Sequence, residues 1–312
     1  MRVDLVFEGG GVLGISFVGA LKSLRENGYE FERCAGTSAG AIIASLVIAG
    51  YTVEELFHIM SDTDYRCFKK ASYFKRVPVP KTVEFLSKKG LYNGDNIEEW
   101  IRPLLEAKGV TKFKHVMKNG KSRLKIIASD VTKKDMLILP DDLYKYGIKP
   151  EEFEIAKAVR MSASIPFYFT PCILNYKSGW SCIVDGGLLS NFPIWIFDVE
   201  GLPRWPTFGL RFRNLKKSQK KDNCSMYSYI QDIINAPINI NGERFIRDKD
   251  LVRTITIDYE GVKATDFDKA SKFKDMLFAQ GYNCTEEFLA RWNFQRYVQV
   301  VRMGYGGTPK SV

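Results

Sequence analysis

The chain has 312 residues, 45% of them apolar and 13% aromatic, a composition typical of a globular protein with a sizeable core. Its net charge of +10 predicts an anionic partner, such as a phospholipid surface, a nucleic acid or an acidic protein. The longest apolar run, residues 41–49, is far shorter than the ~20 residues that span a bilayer. Because no signal peptide precedes the first strand, we expect a cytoplasmic protein whose membrane contact is peripheral.

Cysteine and histidine usage argues against a metal centre. The six cysteines show no C-x-x-C spacing, which predicts reduced thiols and not a disulfide framework or a zinc site. The chain has only two histidines, His58 and His115, too few for a histidine-based metal cluster. We therefore expect neither a metal nor a cofactor.

The first predicted elements are a strand at residues 3–7, a glycine-rich turn and a helix that ends at Asn27-Gly28. Gly9, Gly11 and Gly14 fit the G-x-G-x-x-G fingerprint of dinucleotide-binding proteins, in the expected place between a strand and a helix. An oxidoreductase that binds NAD or FAD is therefore one candidate function.

The second strand, residues 31–35, runs into Gly36-Thr37-Ser38-Ala39-Gly40 and an apolar helix. G-x-S-x-G between a strand and a helix is typical of a nucleophile elbow, a sharp turn that exposes the serine hydroxyl. A dinucleotide-binding unit uses the end of its second strand for the ribose, but the serine occupies that place here. Bare N–H groups in the Gly9-Gly10-Gly11 turn, near a helix N-terminus, are better suited to hold an oxyanion.

The next elements lead to a candidate substrate pocket. A capping box at Thr52 predicts a helix through Met60, and residues 62–93 are basic and aromatic without clear periodicity. Further predicted elements are a helix from residue 95 or 96, a strand at 125–130 and a helix at 153–161. The following loop combines small residues, aromatics and prolines, which suits the lining of an apolar pocket, with Phe167, Tyr168 and Phe169 as candidates.

A strand at 181–184 delivers Asp185, which Gly186 and Gly187 follow. The remaining predicted elements are strands at 207–213 and 251–257, a basic run at 211–221 and helices at 227–234, 267–278 and 285–292. No repeat or low-complexity linker interrupts the chain. We expect one continuous domain, with a catalytic core at 1–210 that continues through 211–312.

Asp185 is the candidate partner of Ser38. A serine hydroxyl is a weak nucleophile until a base accepts its proton. In α/β-hydrolases the chain order is serine, acid, histidine, yet no histidine follows His115. The remaining base is a carboxylate, and the two glycines after Asp185 permit its close approach to the serine.

Four blocks carry a resemblance: the glycine turn at 9–14, the elbow at 36–40, the segment 163–171, and Asp185-Gly186-Gly187 followed by Asn191 and Pro193. In this order, over roughly residues 3–200, they resemble the patatin-like phospholipase family. The resemblance implies a three-layer α/β/α fold with a mostly parallel central sheet. It also implies metal-free hydrolysis of acyl esters in membrane lipids, with Ser38 as nucleophile, Asp185 as base, and Gly9, Gly10 and Gly11 as the oxyanion loop.

One position departs from the family pattern, because Leu13 stands where many members carry Arg or Lys. The expected substrates are membrane phospholipids or lysophospholipids, with peripheral contact to an anionic membrane surface. No nucleic acid is expected, since no aromatic residues are interleaved with the basic run. The alternatives are the dinucleotide-binding oxidoreductase and a lipid-binding effector without catalytic activity.

Overall fold

The computed structural model describes residues 1–69, 90–215, 248–264, 266–267 and 270–305. Its strands are β1 (Arg2–Phe7), β2 (Glu30–Thr37), β3 (Gly90–Tyr92), β4 (Met117–Lys118), β5 (Lys121–Ser122), β6 (Leu124–Asp130), β7 (Asp135–Leu139), β8 (Phe167–Phe169), β9 (Cys172–Tyr176), β10 (Gly179–Asp185), β11 (Thr207–Asn214) and β12 (Thr254–Tyr259). Its helices are α1 (Ile15–Glu26), α2 (Ala39–Ala49), α3 (Val53–Asp62), α4 (Asp95–Ala107), α5 (Ile155–Ser162), α6 (Asp248–Leu251), α7 (Ala270–Arg291) and α8 (Phe294–Tyr305).

A central, mostly parallel sheet organises these elements. Strands β12, β11, β1, β2 and β6 lie side by side in this order, and all four pairings between them are parallel. Five consecutive residues of β1 are buried, as expected for a parallel strand with both faces covered. Helices flank the sheet, with α2 against β1, β2 and β6 and α7 against β12. The predicted α/β fold class is confirmed.

Strand β6 aligns the ends of two strands that run in opposite directions. Along one edge it pairs with β7 throughout Ile126–Asp130. The other edge pairs first with β2, up to Thr37 opposite Ile127, and then with β10, which ends with Asp185 opposite Ala128. Strands β2 and β10 therefore meet end to end on one edge of β6, and the residues at the meeting point are Ser38 and Asp185.

The sheet extends beyond residue 210, and its later elements pack on the first helix. Phe17 on α1 stacks on Phe212 of β11 with ring centroids 4.5 Å apart and lies 5.3 Å from Phe7 of β1. Helix α7 packs along α1, and its Phe288 contacts Phe208 of β11. The core thus includes side chains from both ends of the chain.

Some element boundaries differ from the sequence predictions. The predicted helices at 267–278 and 285–292 are a single helix, α7, and residues 248–251 are helical, so that β12 begins only at Thr254. The capping box of α3 is present, since Glu55 N–H donates to Thr52 Oγ1 and Thr52 N–H donates to the Glu55 carboxylate. The predicted helix at 227–234, the lysines at 216–221 and most of the basic, aromatic insertion lie outside the described residues. No helix within the described ranges is long and apolar enough to cross a membrane.

The close contact between α1 and α7 leads to a prediction on stability. A Cβ atom on Gly281 would lie 1.8 Å from the carbonyl oxygen of Ser16, so Gly281→Ala must push the two helices apart. Helix propensity alone favours alanine by about 1 kcal/mol, but we expect overpacking to dominate and to lower the free energy of unfolding by about 1–3 kcal/mol. Urea unfolding measures the change.

Gly14→Ala is the matched control, because the added Cβ there meets its neighbours at ordinary distances of 3.6 and 3.7 Å. A Gly281→Ala protein as stable as the wild type would contradict the close helix contact.

Candidate active site

The elbow places Ser38 between β2 and α2 in a strained backbone conformation. Its φ of 54° and ψ of −121° are unfavourable for a residue with a side chain. Only 7% of Ser38 is exposed, and it directly precedes the first residue of α2. Strain at a residue on such a turn is typical of a functional position, here one that presents a hydroxyl at the edge of the sheet.

The two glycines of the motif let α2 pack directly against the sheet. A Cβ on Gly36 would lie 2.2 Å from the carbonyl group of Gly40, and a Cβ on Gly40 would lie 2.4 Å from the carbonyl oxygen of Phe7. Any side chain at either position would separate the helix from β1 or β2. The G-x-S-x-G pattern is therefore a requirement of packing as well as of the turn.

A neighbouring hydroxyl holds the backbone of the elbow. The N–H of Ser38 donates to Ser162 Oγ at 2.8 Å, and Ser162 Oγ donates to the carbonyl oxygen of Ile127 at 2.5 Å. Ser162 is the last residue of α5 and is fully buried. It fixes the elbow to β6, and no local pattern in the sequence indicates this contact.

Asp185 ends β10 in a buried position beside Ser38. Its Oδ1 accepts a hydrogen bond from the N–H of Gly187 at 2.7 Å, while its buried Oδ2 has no hydrogen-bond partner among the described residues. Burial raises the pKa of the Asp185 carboxyl to about 6, and the nearby Ser38 hydroxyl and the Gly187 N–H partly offset this rise. The hydroxyl is thus close enough to affect the carboxylate, although no well-aligned hydrogen bond joins Ser38 to Oδ2, as is common in unliganded sites.

The glycine turn lies against the elbow, and its N–H groups differ. A Cβ on Gly9 would lie 3.3 Å from Ser38 Cβ, so the turn is in direct contact with the serine. The N–H of Gly9 already donates to the carbonyl oxygen of Asn191 at 3.2 Å. The N–H groups of Gly10 and Gly11, and that of Ala39 at the start of α2, donate to no acceptor within the described part of the chain.

A second buried carboxylate supports the same turn. Glu8 precedes Gly9; its Oε2 accepts from the N–H of Phe212 at 2.6 Å and its Oε1 from the Asn191 amide at 3.3 Å. That amide also donates to the carbonyl oxygen of Gly9 at 3.3 Å. Burial raises the pKa of Glu8 to about 7, although the Phe212 N–H, the charge of Arg211 and the Asn191 amide all lower it. Asn191 was identified from the sequence by its spacing after Asp185. Glu8 was not, because in the sequence it is simply the residue before the glycine turn.

The three aromatic candidates for the pocket do not share one environment. Tyr168 and Phe169 are buried and pack against Phe267, with ring centroids 5.7 and 6.4 Å away. Phe167 is 45% exposed and has a positive φ of 62°. Of the three, only Phe167 presents its ring to solvent.

A buried arginine fixes the loop between α5 and Asp185. Arg160 donates to Asp95 Oδ1 at 3.0 Å and to Ser164 Oγ at 2.5 Å, and it is only 3% exposed. The carbonyl oxygen of Ser164 in turn accepts the N–H of Asp185 at 2.8 Å. No local pattern in the sequence indicates the ion pair, because Arg160 and Asp95 are 65 residues apart.

The two histidines lie apart from this chemistry. His58 is exposed on α3 beside Asp62, and His115 Nδ1 accepts the backbone N–H of Thr111 in a surface turn. Within the described ranges, no group of three or more His, Cys, Asp or Glu side chains is arranged to hold a metal ion.

Fold and site together define an α/β protein with a strained elbow serine that faces a buried aspartate. The family model of the patatin-like phospholipases matches residues 5–198, and the chain belongs to that family. The Bacillus subtilis protein YqhO is 38% identical over 94% of this chain and 100% of its own length. "Probable lipid hydrolase 463L" of Invertebrate iridescent virus 6 is 28% identical over 70% of this chain and 67% of its own.

Solved structures with the same fold are more distant in sequence. VipD from Legionella pneumophila superimposes with a TM-score of 0.56 at 18% identity, covering 92% of this chain and 66% of VipD. The type III effector ExoU of Pseudomonas aeruginosa has a TM-score of 0.51 at 14% identity, covering 93% of this chain and 53% of ExoU. At these identities the likeness concerns the fold.

The raised pKa of Asp185 predicts a pH-dependent gain in stability for Asp185→Asn. Between pH 3.8 and about 6 the folded protein keeps a proton on Asp185 that the unfolded chain releases, so the contribution of this group to stability falls as pH rises. At about pH 8 we expect Asp185→Asn to be more stable than the wild type by up to about 3 kcal/mol. Well below pH 3.8 the advantage should vanish, because Asp185 is then protonated in both the folded and the unfolded wild type.

Denaturant unfolding of the two proteins across this pH range tests the prediction, and Glu8 titrates equally in both. A stability difference that does not change with pH would contradict the burial of an ionisable Asp185.

Proposed function

We propose that the protein is a lipid acyl hydrolase of the phospholipase A or lysophospholipase type, with Ser38 and Asp185 as its catalytic dyad. The observation that carries the proposal is the end-to-end meeting of β2 and β10 on β6, which brings the strained serine next to a buried aspartate. Membership of the patatin-like phospholipase family supports it, as does the similarity to a protein named as a lipid hydrolase.

In the first half of the reaction Asp185 acts as the base. With its pKa at about 6 the carboxyl is ionised at neutral pH yet basic enough to accept the hydroxyl proton of Ser38. The Ser38 oxygen attacks the ester carbonyl and forms a tetrahedral intermediate. When that intermediate collapses, the alcohol part of the lipid leaves with the proton held by Asp185, and the acyl group stays on Ser38.

Water completes the cycle by the same route. Asp185 accepts a proton from a water molecule, the hydroxide oxygen attacks the acyl-Ser38 ester, and the fatty acid leaves as Ser38 regains its proton. The chain itself supplies every group that these steps require.

The oxyanion in both steps needs N–H donors that the fold has not already used. The N–H groups of Gly10, Gly11 and Ala39 fit this role, because they have no acceptor within the described ranges. The N-terminus of α2 adds a partial positive charge at Ala39. Gly9 supports the loop through its N–H bond to Asn191, so its part in the proposal is structural.

The chain's own packing disfavours a dinucleotide at the glycine turn. A Cβ on Gly10 would lie 2.2 Å from the Phe212 ring, and one on Gly11 would lie 2.0 Å from the carbonyl oxygen of Ala264. Close packing against these neighbours explains both glycines without a dinucleotide. The elbow also fills the end of β2, so we favour the hydrolase over the oxidoreductase.

Leu13 bears on the choice of lipid head group. Its side chain is 2% exposed and belongs to the hydrophobic core. A cation at this buried position would need an anionic partner or contact with solvent. Leucine needs neither, and it offers a head group no charge and no hydrogen bond. We infer that no charge at position 13 contributes to head-group binding in this protein.

Replacement of either dyad residue tests the proposed function. Wild-type protein incubated with phospholipids, lysophospholipids and neutral esters should release fatty acid from at least one class, as measured by lipid mass spectrometry. Ser38→Ala and Asp185→Asn should each lower the rate by roughly 10³-fold or more, since each removes an essential part of one unit. Both variants should keep the wild-type circular dichroism spectrum.

Ser45→Ala is a matched control, because Ser45 lies on the same helix but donates to the carbonyl oxygen of Ala41 in the core. Full activity in either dyad variant would contradict the mechanism. A folded wild-type protein that releases no fatty acid from any lipid would favour the non-catalytic lipid-binding effector.

A further inference from the structure

Two hairpins project beyond the end of β2, where the dyad lies. Residues 131–134 connect β6 to β7, and residues 177–178 connect β9 to β10. Strand β6 runs parallel to β2 and continues beyond its end, while β10 descends from its hairpin to Asp185. Both hairpin tips therefore lie beyond Ser38, in the direction in which β2 and β6 run. We call residues 131–134 and 177–180 the hairpin surface.

Hydrogen bonds and ring contacts join the two tips into one surface. The N–H of Val131 donates to the carbonyl oxygen of Cys182 at 3.0 Å, and the N–H of Cys182 donates to Thr132 Oγ1 at 2.9 Å. The ammonium group of Lys133 lies 3.6 Å from the ring centroid of Tyr146 and 5.0 Å from that of Tyr176. The tips are thus held against each other and against the strands below.

The hairpin surface carries a net positive charge. Lys133, Lys134 and Lys177 are exposed, and none forms a salt bridge with a carboxylate in the part of the chain that the structure describes. The acidic residue beside them, Asp135, faces Lys145 at 3.6 Å. Lys134 and Lys177 are therefore available to an external anionic partner, and Lys133 adds its charge while it packs on Tyr146.

Exposed apolar side chains lie among these lysines. Trp180 is 55% exposed and Val131 is 41% exposed. Ile173, 44% exposed, shares the face of Trp180, because the pairs Ile173–Cys182 and Trp180–Asn175 are two residues apart on each strand. Tryptophan beside lysines is typical of a membrane–water interface, where the indole sits among the head groups and the ammonium groups attract anionic lipids.

We propose that the hairpin surface docks the protein on an anionic lipid bilayer and presents the dyad to it. This proposal rests on the proposed lipid substrate. Trp180 and Asp185 are five residues apart on one strand, a distance of roughly 16 Å. That is about half of the ~30 Å hydrocarbon core, or the depth of one leaflet. If Trp180 lies at the level of the head groups, a lipid that moves out of the bilayer by about the length of its own acyl chain brings its ester to Ser38.

Vesicle binding measured in a Ser38→Ala background tests the proposal without hydrolysis of the lipid. The probe is phosphatidylcholine vesicles with or without phosphatidylserine, and sedimentation reports the bound fraction. We expect Lys134→Glu with Lys177→Glu to weaken binding to the anionic vesicles by at least roughly 30-fold. Trp180→Ala should weaken binding to both kinds of vesicle, and added salt should weaken only the lysine-dependent part.

The control pair is Lys121→Glu with Lys149→Glu, which changes the net charge by the same amount at exposed positions outside the hairpin surface. It should bind vesicles within about twofold of the parent protein, since the lysine effect is local. When each pair of substitutions is made in the protein that retains Ser38, it should leave the rate of hydrolysis of a short-chain, water-soluble ester unchanged. This measurement separates docking from catalysis.

The docking surface is overturned if the two pairs bind anionic vesicles equally, or if the parent protein does not bind them at all. The docking surface and the dyad can fail separately. If the wild-type protein hydrolyses no lipid but the hairpin pair of substitutions still weakens vesicle binding and the control pair does not, the docking surface is supported and the dyad is contradicted.

Discussion

The direct contact of helix α2 with strands β1 and β2 is the constraint on which the rest of the site depends. Gly36 and Gly40 allow it, since a Cβ at either position would collide with backbone atoms at 2.2–2.4 Å. With the helix held so closely, the chain turns from β2 into α2 through the strained conformation of Ser38. The same closeness brings the glycine turn at the end of β1 against the serine and leaves the N–H of Ala39 without a partner in the described ranges.

The site contains carboxylates whose burial opposes stability at neutral pH. Asp185 and Glu8 both have raised pKa values, about 6 and about 7, because each is removed from water. Asp185 accepts one short hydrogen bond and leaves Oδ2 without a partner among the described residues, an arrangement that keeps it basic. Glu8 accepts two hydrogen bonds and ties the glycine turn to β11 and to Asn191. Under the proposed mechanism Asp185 acts as a base, whereas the hydrogen bonds of Glu8 hold the glycine turn in place.

The sequence predicted those parts of the site that depend on local backbone requirements. The elbow could be recognised because glycine, serine and glycine at fixed spacing meet the demands of a single turn. Asp185 followed from two adjacent glycines and from the lack of a later histidine. Ser162, Glu8 and Arg160 left no such signal, because each depends on a distant partner: Ile127 is 35 residues from Ser162, Asn191 is 183 from Glu8 and Asp95 is 65 from Arg160.

The same difference between local patterns and contacts of distant residues explains where the fold departs from the sequence prediction. The sequence predicted two helices at 267–278 and 285–292, but contact with α1 stabilises one continuous α7. Tyr168 and Phe169 stay candidates for the pocket lining. The sequence did not indicate that they pack against Phe267, because Phe267 lies 98 or more residues later in the chain. Local patterns identify which residues turn the chain, and only the assembled core determines which rings it covers.

The account's central claim is that Asp185 makes Ser38 a nucleophile. The most direct measurement is the rate at which a fluorophosphonate labels the protein as a function of pH, with the modified residue located by peptide mass spectrometry. The account predicts a single label on Ser38 that forms more slowly as pH falls through about 6 and is lost in Asp185→Asn. A label on another residue, or an Asp185→Asn protein that reacts as fast as the wild type, would contradict it.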